Sequence, residues 1–187
     1  LYPRAGWEKN FFELQLPECR RLEALFTCLF HILVTGQVDF DYGDEDILSR
    51  LFRIETNGGS PELAVGEARY TTVVVSGMDT IRSSTLNILR DFAAVGGEVL
   101  FIGDLPGYVD AQPADLPAEL MRSNKRVAME REEILSALSG HRLFTIDSED
   151  ILTAVRKEGD TYYLICLNTD REHAKEKLTL RFQERYN

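Results

Sequence analysis

The stretch "GGEVLFIG" (residues 96–103) sets four consecutive apolar residues between a pair of glycines and a third glycine. A similar run, "TTVVVSG" (residues 71–77), comes before it, and both are typical of strands covered on two faces. Between them, residues 83–95 repeat apolar side chains at helical spacing, and the glycine pair suits a helix end. Strand, helix and strand over residues 71–102 predict a βαβ unit with a parallel strand pair.

Upstream of this unit, the spacing of apolar residues predicts a long helix over residues 17–34, stopped by Gly36. "QVDFD" (residues 37–41) then predicts a short strand, and Asp44 is placed to open a small helix. Residues 53–70 contain the turn residues Asn-Gly-Gly, which favour a hairpin outside the core.

Downstream, short helices are expected near residues 117–123 and 130–139, followed by alternating strands joined by polar turns. Residues 157–161 hold Gly-Asp and predict a hairpin turn. The sequence therefore predicts two parts. Residues 1–147 form a three-layer α/β domain with a mainly parallel sheet, and residues 148–187 form an antiparallel β segment.

Composition argues against several kinds of partner. The chain has 187 residues and a formal net charge of −10, which disfavours nucleic acid and anionic membrane surfaces. No apolar run reaches the length needed to cross a bilayer. The chain opens on "LYP" without an initiator Met, so we expect a piece excised from a longer polypeptide.

Neither a metal site nor a cofactor is predicted. Cys19, Cys28 and Cys166 are far apart and set among apolar residues, which predicts buried free thiols in a reducing compartment. The acidic run over residues 38–46 does not have the spacing of a calcium-binding loop, so helix capping by Asp44 explains it better. No phosphate-binding glycine motif is present.

The histidines also lack metal-ligand spacing. His31 lies among apolar residues of the long helix and is expected in the core or at its boundary, whereas His141 and His173 fall in turns.

The segment "FIGDLPG" (residues 101–107) has the outline of a nucleophile elbow, a strand-to-helix turn that presents a reactive side chain. The apex here is Leu105, which offers no hydroxyl or thiol. Pro106 follows it and has no amide hydrogen to donate to an oxyanion. A receiver-type phosphate site fails too, because the strand-end position is Ser76 and Asp79 is displaced into the loop. No catalytic residue is predicted.

Acidic residues follow several of the predicted strands, namely Asp41, Asp79, Asp104 and Asp110. Open α/β sheets bind ligands at the carboxyl edge of their strands. If this edge binds a small molecule such as a sugar, we expect a polar pocket near Ser76, Asp104 and Tyr108.

The segment from Leu63 to Ala111 carries "Y-x-x-VVV", a "TL-x-x-L-x-x-F" helix, "GG-x-VLFIG" and "P-x-x-VD". In these features it resembles the amidotransferase-like, flavodoxin-like α/β domain of large bacterial glycoside hydrolases, which also occurs as the trimerisation domain of family 42 β-galactosidases. "LYP", Trp7 and "VDFD" fit the same pattern. The residues after position 155 resemble the start of the β-domain that follows.

The resemblance implies a non-catalytic accessory domain, because the catalytic acids of such enzymes come from a TIM barrel elsewhere in the parent chain. The implied partners are that barrel, a second copy of this domain and the parent's carbohydrate substrate. A cytoplasmic location is expected for the segment, although the parent protein's own location is open. One alternative is a stand-alone module that binds a small ligand at the carboxyl edge of the sheet, and another is a degenerate or atypical hydrolase that works at Asp104.

Overall fold

The computed structural model describes residues 17–116, 118–174 and 177–182. The predicted strand tail at residues 1–3 and Trp7 lie outside this part of the chain. The described helices are α1 (Pro17–Thr35), α2 (Glu45–Leu51), α3 (Ser83–Ala94), α4 (Ala118–Ser123) and α5 (Arg131–Ala137), with a 3-10 turn at Ser139–His141.

The described strands are short and fall into five sheets. They are β1 (Phe52–Asn57), β2 (Ser60–Val65), β3 (Ala68–Tyr70), β4 (Thr72–Ser76), β5 (Thr80–Ile81), β6 (Glu98–Ile102), β7 (Tyr108–Val109), β8 (Gln112–Pro113), β9 (Lys125–Val127), β10 (Phe144–Ile146), β11 (Ile151–Glu158), β12 (Thr161–Asn168) and β13 (Leu180–Phe182).

The prediction of a three-layer domain with a mainly parallel sheet is wrong. Among the described strands, only β4, β6 and β9 form a wholly parallel sheet. The sheets β1–β2–β3, β10–β13 and β11–β12 are antiparallel, and β5–β7–β8 is mixed. One reason is that residues 37–41 form no strand and add nothing to the parallel sheet. Another is that the hairpin closed by the two-residue turn at residues 58–59 belongs to the antiparallel sheet β1–β2–β3, which packs against the core.

The βαβ unit itself is confirmed. Strands β4 and β6 pair in parallel with Thr72 opposite Glu98, and α3 crosses between them. The long helix, the Asp44-capped helix and both predicted hairpins are also present. The predicted division of the chain between residues 147 and 148 stays a prediction.

The predicted strand at residues 37–41 is absent from this described segment. Gln37 has a left-handed backbone with φ of 54°, which turns the chain sharply after α1. Val38 and Phe40 then contribute side chains to the core, while Asp41 accepts a hydrogen bond of 2.8 Å from the Tyr70 hydroxyl. This segment is thus held by its side chains and makes no strand ladder.

Strand β6 separates two apolar clusters. Its residues alternate, so that Val99 and Phe101 enter one cluster and Leu100 and Ile102 enter the other. All four side chains are at most 1% exposed. The first cluster also contains Leu63, Val75, Ile81, Ile88, Leu89, Phe92 and Leu120, and the second contains Ile32, Leu33, Ile134 and Leu138.

The antiparallel segments also contribute to the interior. Leu63 of β2 is 2% exposed, so the hairpin over residues 53–70 reaches the core and does not stay outside it as predicted. A third cluster contains Phe144, Ile146 and Ile151, with Val155 and Leu164 of the β11–β12 hairpin packed against it.

The prediction of buried thiols is wrong. Cys19, Cys28 and Cys166 are all free and exposed. The stripe of α1 that faces the core includes Ile32 and Leu33, and both cysteines of this helix lie off that stripe. Cys166 lies on β12, which is exposed along most of its length.

Gln37 is a polar side chain inside the fold, only 8% exposed. Its amide nitrogen donates to the carbonyl oxygens of Thr35, at 2.9 Å, and Ser148, at 3.3 Å. Its amide oxygen accepts hydrogen bonds of 3.2 Å from Arg142 and from the backbone of Ile146. One amide therefore joins the end of α1 to β10.

We expect Gly97→Ala to lower the free energy of unfolding by about 1–3 kcal/mol, because the added methyl group overpacks the core. That methyl carbon would lie 2.5 Å from Cδ2 and Cζ of Phe92, whose ring is 0% exposed. Urea unfolding measures the change. Gly140→Ala is the matched control, since nothing lies within 4 Å of its added carbon. Equal stability of the two variants would contradict the packing described.

Candidate functional site

A cavity of about 550 Å³ lies at the carboxyl edge of the parallel sheet. At this edge Gly77 follows the last residue of β4 and Gly103 follows the last residue of β6. Both glycines have left-handed backbones, with φ angles of 62° and 75°. The loops that follow carry Asp79 and Asp104 into the cavity lining. The end of β9 and one side of α1 complete the wall, with Leu25, Val127 and Met129 as apolar members.

Two pairs of opposite charges line this cavity. Arg21 of α1 forms an ion pair with Asp79. Arg126 of β9 has its Nη2 atom 4.0 Å from Oδ1 of Asp104, and its Nε donates a 3.1 Å hydrogen bond to the Gly103 carbonyl. The two arginines balance the two aspartates, so the cavity lining has guanidinium donors and carboxylate acceptors but no net charge. Such a lining suits hydrogen bonding to neutral polar groups.

The elbow-like turn does not present a reactive group to this cavity. Leu105 is half-buried and packs against the first apolar cluster, and Pro106 behind it is buried. The backbone amides of Gly107 and Tyr108 both donate to the carbonyl oxygen of Asp79 at 3.1 Å. These amides already have partners and are not free to stabilise an oxyanion.

The structure brings together only part of the predicted ligand pocket. Asp104 lines the cavity, but Tyr108 of β7 does not. The Ser76 hydroxyl lies next to this edge and donates a 3.0 Å hydrogen bond to the Ile102 carbonyl. Ser76, Asp104 and Tyr108 therefore do not line one pocket as predicted.

Of the four aspartates predicted at the carboxyl edge of the sheet, only Asp79 and Asp104 line the cavity. Asp110 accepts a 3.0 Å hydrogen bond from the Ser83 backbone at the start of α3, and hydrogen bonds from Ser83 hold the pKa of Asp110 below its ordinary value. Asp41 holds the Tyr70 hydroxyl instead. Burial, followed by the hydrogen bond and charge of Asp41, raises the pKa of Tyr70 to about 12.

Arg21 and Arg126 are the cavity residues that sequence reasoning missed. They lie 105 positions apart in the chain, on α1 and β9. For Arg126, a sequence signal exists: it lies in a third parallel strand, β9, and the ends of parallel strands meet at the edge where Asp104 lies.

A second polar cluster lies at the amino edge of the same sheet. Nε2 of His141 is 2.7 Å from Oε2 of Glu98 and 3.0 Å from the Thr72 hydroxyl. Lys125 donates a 3.1 Å hydrogen bond to the other oxygen of Glu98, and the Thr71 hydroxyl is 3.3 Å from Nδ1 of His141. Each parallel strand contributes to this cluster, which we call the amino-edge cluster.

The amino-edge cluster contains a hydroxyl, an imidazole and a carboxylate, as a hydrolytic triad does. In a triad, however, the nucleophile and the acid bind different ring nitrogens. Here the Thr72 hydroxyl lies 3.0 Å from Nε2, the nitrogen that Glu98 contacts, and 3.3 Å from both Nδ1 and Glu98. The Thr71 hydroxyl is on the nitrogen opposite Glu98, but only at 3.3 Å. None of these side chains lines the 550 Å³ cavity. The arrangement acts as a structural clamp between the 3-10 turn and the three strands.

The electrostatics of Glu98 fit that structural role. Burial alone would raise the pKa of Glu98, but hydrogen bonds from Lys125 and His141, together with their charges, hold it below its ordinary value. Glu98 is therefore ionised in the folded protein at neutral pH.

The remaining predicted residues make local contacts. Asp44 caps α2 by accepting a 2.9 Å hydrogen bond from the Ile47 amide, as predicted. His31 is exposed, so the prediction that it lies in the core or at its boundary is wrong. His173 lies 3.1 Å from Asp170 in a polar turn. In the part of the chain that the structure describes, no group of three or more His, Cys, Asp or Glu side chains is placed to hold a metal.

An exposed aromatic face runs along α1 and the segment after it. We define it as Phe26, Phe30 and Tyr42, which are exposed, together with the half-buried Phe40 that joins them to the core. Phe26 and Tyr42 stack with ring centres 4.9 Å apart, and Phe40 meets Tyr42 edge to face at 5.5 Å. Tyr42 is 60% exposed and Phe26 53% exposed, so these rings shield one another only in part.

Comparison with known proteins finds no family model, no curated protein and no solved structure that matches the chain. Within the described residues, no helix combines the length and the apolar character needed to cross a bilayer.

We expect Glu98→Gln to lower the free energy of unfolding by about 1 kcal/mol near neutral pH, since hydrogen bonds to a charged acceptor are lost. Because folding lowers the pKa of Glu98 from its ordinary value, its contribution is complete above the unfolded-state pKa and is lost as the pH falls through the folded-state pKa. The difference between wild type and variant, measured by urea unfolding, should therefore shrink in acid. Glu67→Gln, in an exposed turn, is the control. A difference that stays constant with pH would contradict this role.

Proposed function

We propose that this chain is a non-catalytic accessory domain of a glycoside hydrolase, and that it works by assembly with a catalytic barrel. The observation that carries the proposal is the exposed aromatic face. Large apolar side chains that lie together at a protein surface mark interaction sites. Aromatic residues are enriched in such sites because they bury much area and lose little conformational freedom.

The chemistry at the elbow-like turn supports a role without catalysis. Its apex is Leu105, and the nearby amides are already hydrogen-bonded within the protein. The glycoside hydrolase context rests on the resemblance of residues 63–111 alone. Under this proposal the barrel of the parent chain supplies the catalytic acids and binds the carbohydrate. The free thiols fit the cytoplasmic location that belongs to the same proposal.

The first test is turnover of a panel of aryl glycosides by the 187-residue chain. We expect no hydrolysis above the buffer rate. Hydrolysis that tracks the purified chain would overturn the proposal.

The second test addresses the aromatic face. Binding of an apolar fluorescent dye to the folded chain should fall in the double variant Phe26→Ser and Tyr42→Ser. Val95→Ser is the control, because Val95 is 55% exposed and lies after α3, outside the face. Equal dye binding by the double variant and the control would show that the rings form no common surface.

A second candidate function is binding of a small polyhydroxylated ligand, such as a sugar, in the carboxyl-edge cavity. Its volume of about 550 Å³ lies within the range of small-molecule sites. Arginine donors and aspartate acceptors can bind the hydroxyl groups of a sugar from both sides. The apolar wall formed by Leu25 and Met129 can contact its less polar face.

Thermal-shift screening against sugars and nucleotides tests this candidate. A ligand at 100 times its Kd stabilises the folded state by about 2.7 kcal/mol, which raises the melting temperature. We expect a sugar to give such a shift, and Arg126→Ala to abolish it. Arg90→Ala, on the exposed side of α3, should leave it unchanged. No shift with any compound would favour the accessory role alone.

A further inference from the structure

A second cavity, of about 200 Å³, lies where the end of α1 meets β10 and the start of α5. We call it the two-arginine cavity, because its lining includes Arg131 and Arg142 together with the side chains of Thr35, Gln37, Asp147 and Glu149. Its volume is below the roughly 300–1,000 Å³ of drug-sized pockets and several times the roughly 30 Å³ share of one water molecule. The cavity therefore suits a small polyatomic ion better than a nucleotide.

The guanidinium of Arg142 has no ionic partner within the described part of the chain. Its Nη2 donates a 3.2 Å hydrogen bond to the side-chain oxygen of Gln37, and its Nε is buried without a hydrogen-bond partner. No described carboxylate forms an ion pair with it. Arginine stays charged in proteins, and a buried charge is costly unless it is paired. The fold thus leaves a positive charge here that its own side chains do not neutralise.

A second guanidinium faces the same space. Burial, followed by the charge of Arg131, lowers the pKa of Arg142, because both effects disfavour the charged form. Arg131 is anchored at the cavity by a 2.7 Å hydrogen bond from its Nη1 to the Thr35 hydroxyl. An anion between the two arginines would offset their repulsion, and the planar guanidinium group matches the geometry of carboxylate and phosphate oxygens.

Glu149 already places an oxyanion at the rim of this cavity. Its Oε1 lies 2.9 Å from Nη2 of Arg131, and its side chain is 72% exposed. One carboxylate neutralises only one of the two arginines. Asp147, the other acid of the lining, accepts a 3.1 Å hydrogen bond from the Thr179 amide, and hydrogen bonds from Thr179 hold the pKa of Asp147 below its ordinary value. Both acids are engaged elsewhere and leave Arg142 unpaired.

We propose that the two-arginine cavity binds a compact oxyanion, either a phosphate or a carboxylate, between Arg131 and Arg142. This inference goes beyond the accessory role and does not depend on the aromatic face. The net charge of −10 opposes anion binding at long range, but charges separated by more than about 8 Å are largely screened at physiological ionic strength. Within the cavity, the unbalanced charge is that of Arg142, and the exposed Glu149 can turn into solvent to admit the ion.

Titration of the full chain with inorganic phosphate at constant physiological ionic strength, followed by phosphorus NMR, tests the site. We expect saturable binding of one phosphate per chain with a Kd on the order of 1 mM. Arg142→Met keeps a long side chain without the charge and should weaken binding about tenfold or more, since charge-assisted hydrogen bonds are lost. Arg90→Met, on the exposed side of α3, is the control and should leave the affinity unchanged.

A variant with higher affinity tests the same site without the loss of an arginine. Glu149→Gln removes the competing carboxylate and should tighten phosphate binding several-fold, because like charges repel. Glu132→Gln removes the same charge from an exposed residue of α5 that does not line the cavity, and should change the affinity much less. Circular dichroism checks that each variant is folded. If Arg142→Met does not fold, the comparison of Glu149→Gln with Glu132→Gln decides.

A parallel titration with acetate, followed by calorimetry, separates the two sources of this chemistry. Tighter binding of acetate identifies a carboxylate ligand, and tighter binding of phosphate identifies a phosphate ligand. The proposal is overturned if neither anion binds saturably, or if a folded Arg142→Met or the Glu149→Gln variant binds as the wild type does. Glycoside turnover and dye binding are separate measurements, so failure of the proposed function and failure of the anion site are distinguishable.

Discussion

The alternation of side chains along β6 is the interaction on which the rest of the interior depends. Val99 and Phe101 anchor one apolar cluster, while Leu100 and Ile102 anchor the other, and all four are essentially inaccessible to water. Burial of side chains of this size contributes about 1.5–3 kcal/mol each. Because β6 is the central strand between β4 and β9, it also fixes both neighbours in parallel register. The helices on either face are therefore positioned by a single strand.

The amino and carboxyl edges of the β4–β6–β9 sheet differ in structure. At the amino edge, Glu98 and His141 close the strands with a dense set of hydrogen bonds. At the carboxyl edge, the left-handed glycines turn the chain away and leave a cavity. Ionisable side chains gather at both edges, but at the amino edge they bond to one another, whereas the carboxyl edge keeps a cavity of ligand size. The aromatic face, on which the proposed assembly rests, lies away from both edges, on α1 and the segment after it.

The local features of this chain could be predicted from sequence, and the pairing between distant segments could not. The valines of β4 and the glycine pair before β6 define the βαβ unit, and Asp44 marks the start of α2. The prediction of a mainly parallel sheet is wrong because the choice of strand partner depends on tertiary packing. The prediction of a strand at residues 37–41 is wrong because the left-handed backbone of Gln37 turns the chain there. Arg126 beside Asp104, and His141 beside Glu98, are contacts between separate elements that no local pattern reveals.

The buried amide of Gln37 has a consequence for local unfolding. It is bonded to the end of α1, to the Ser148 carbonyl and to the Ile146 amide, so separation of the helix end from β10 breaks all of these bonds together. The last turn of α1 and the strand β10 therefore belong to one cooperative opening unit. In native-state hydrogen exchange, their slow amides would share a common opening free energy, which is a property of the junction and of neither element alone.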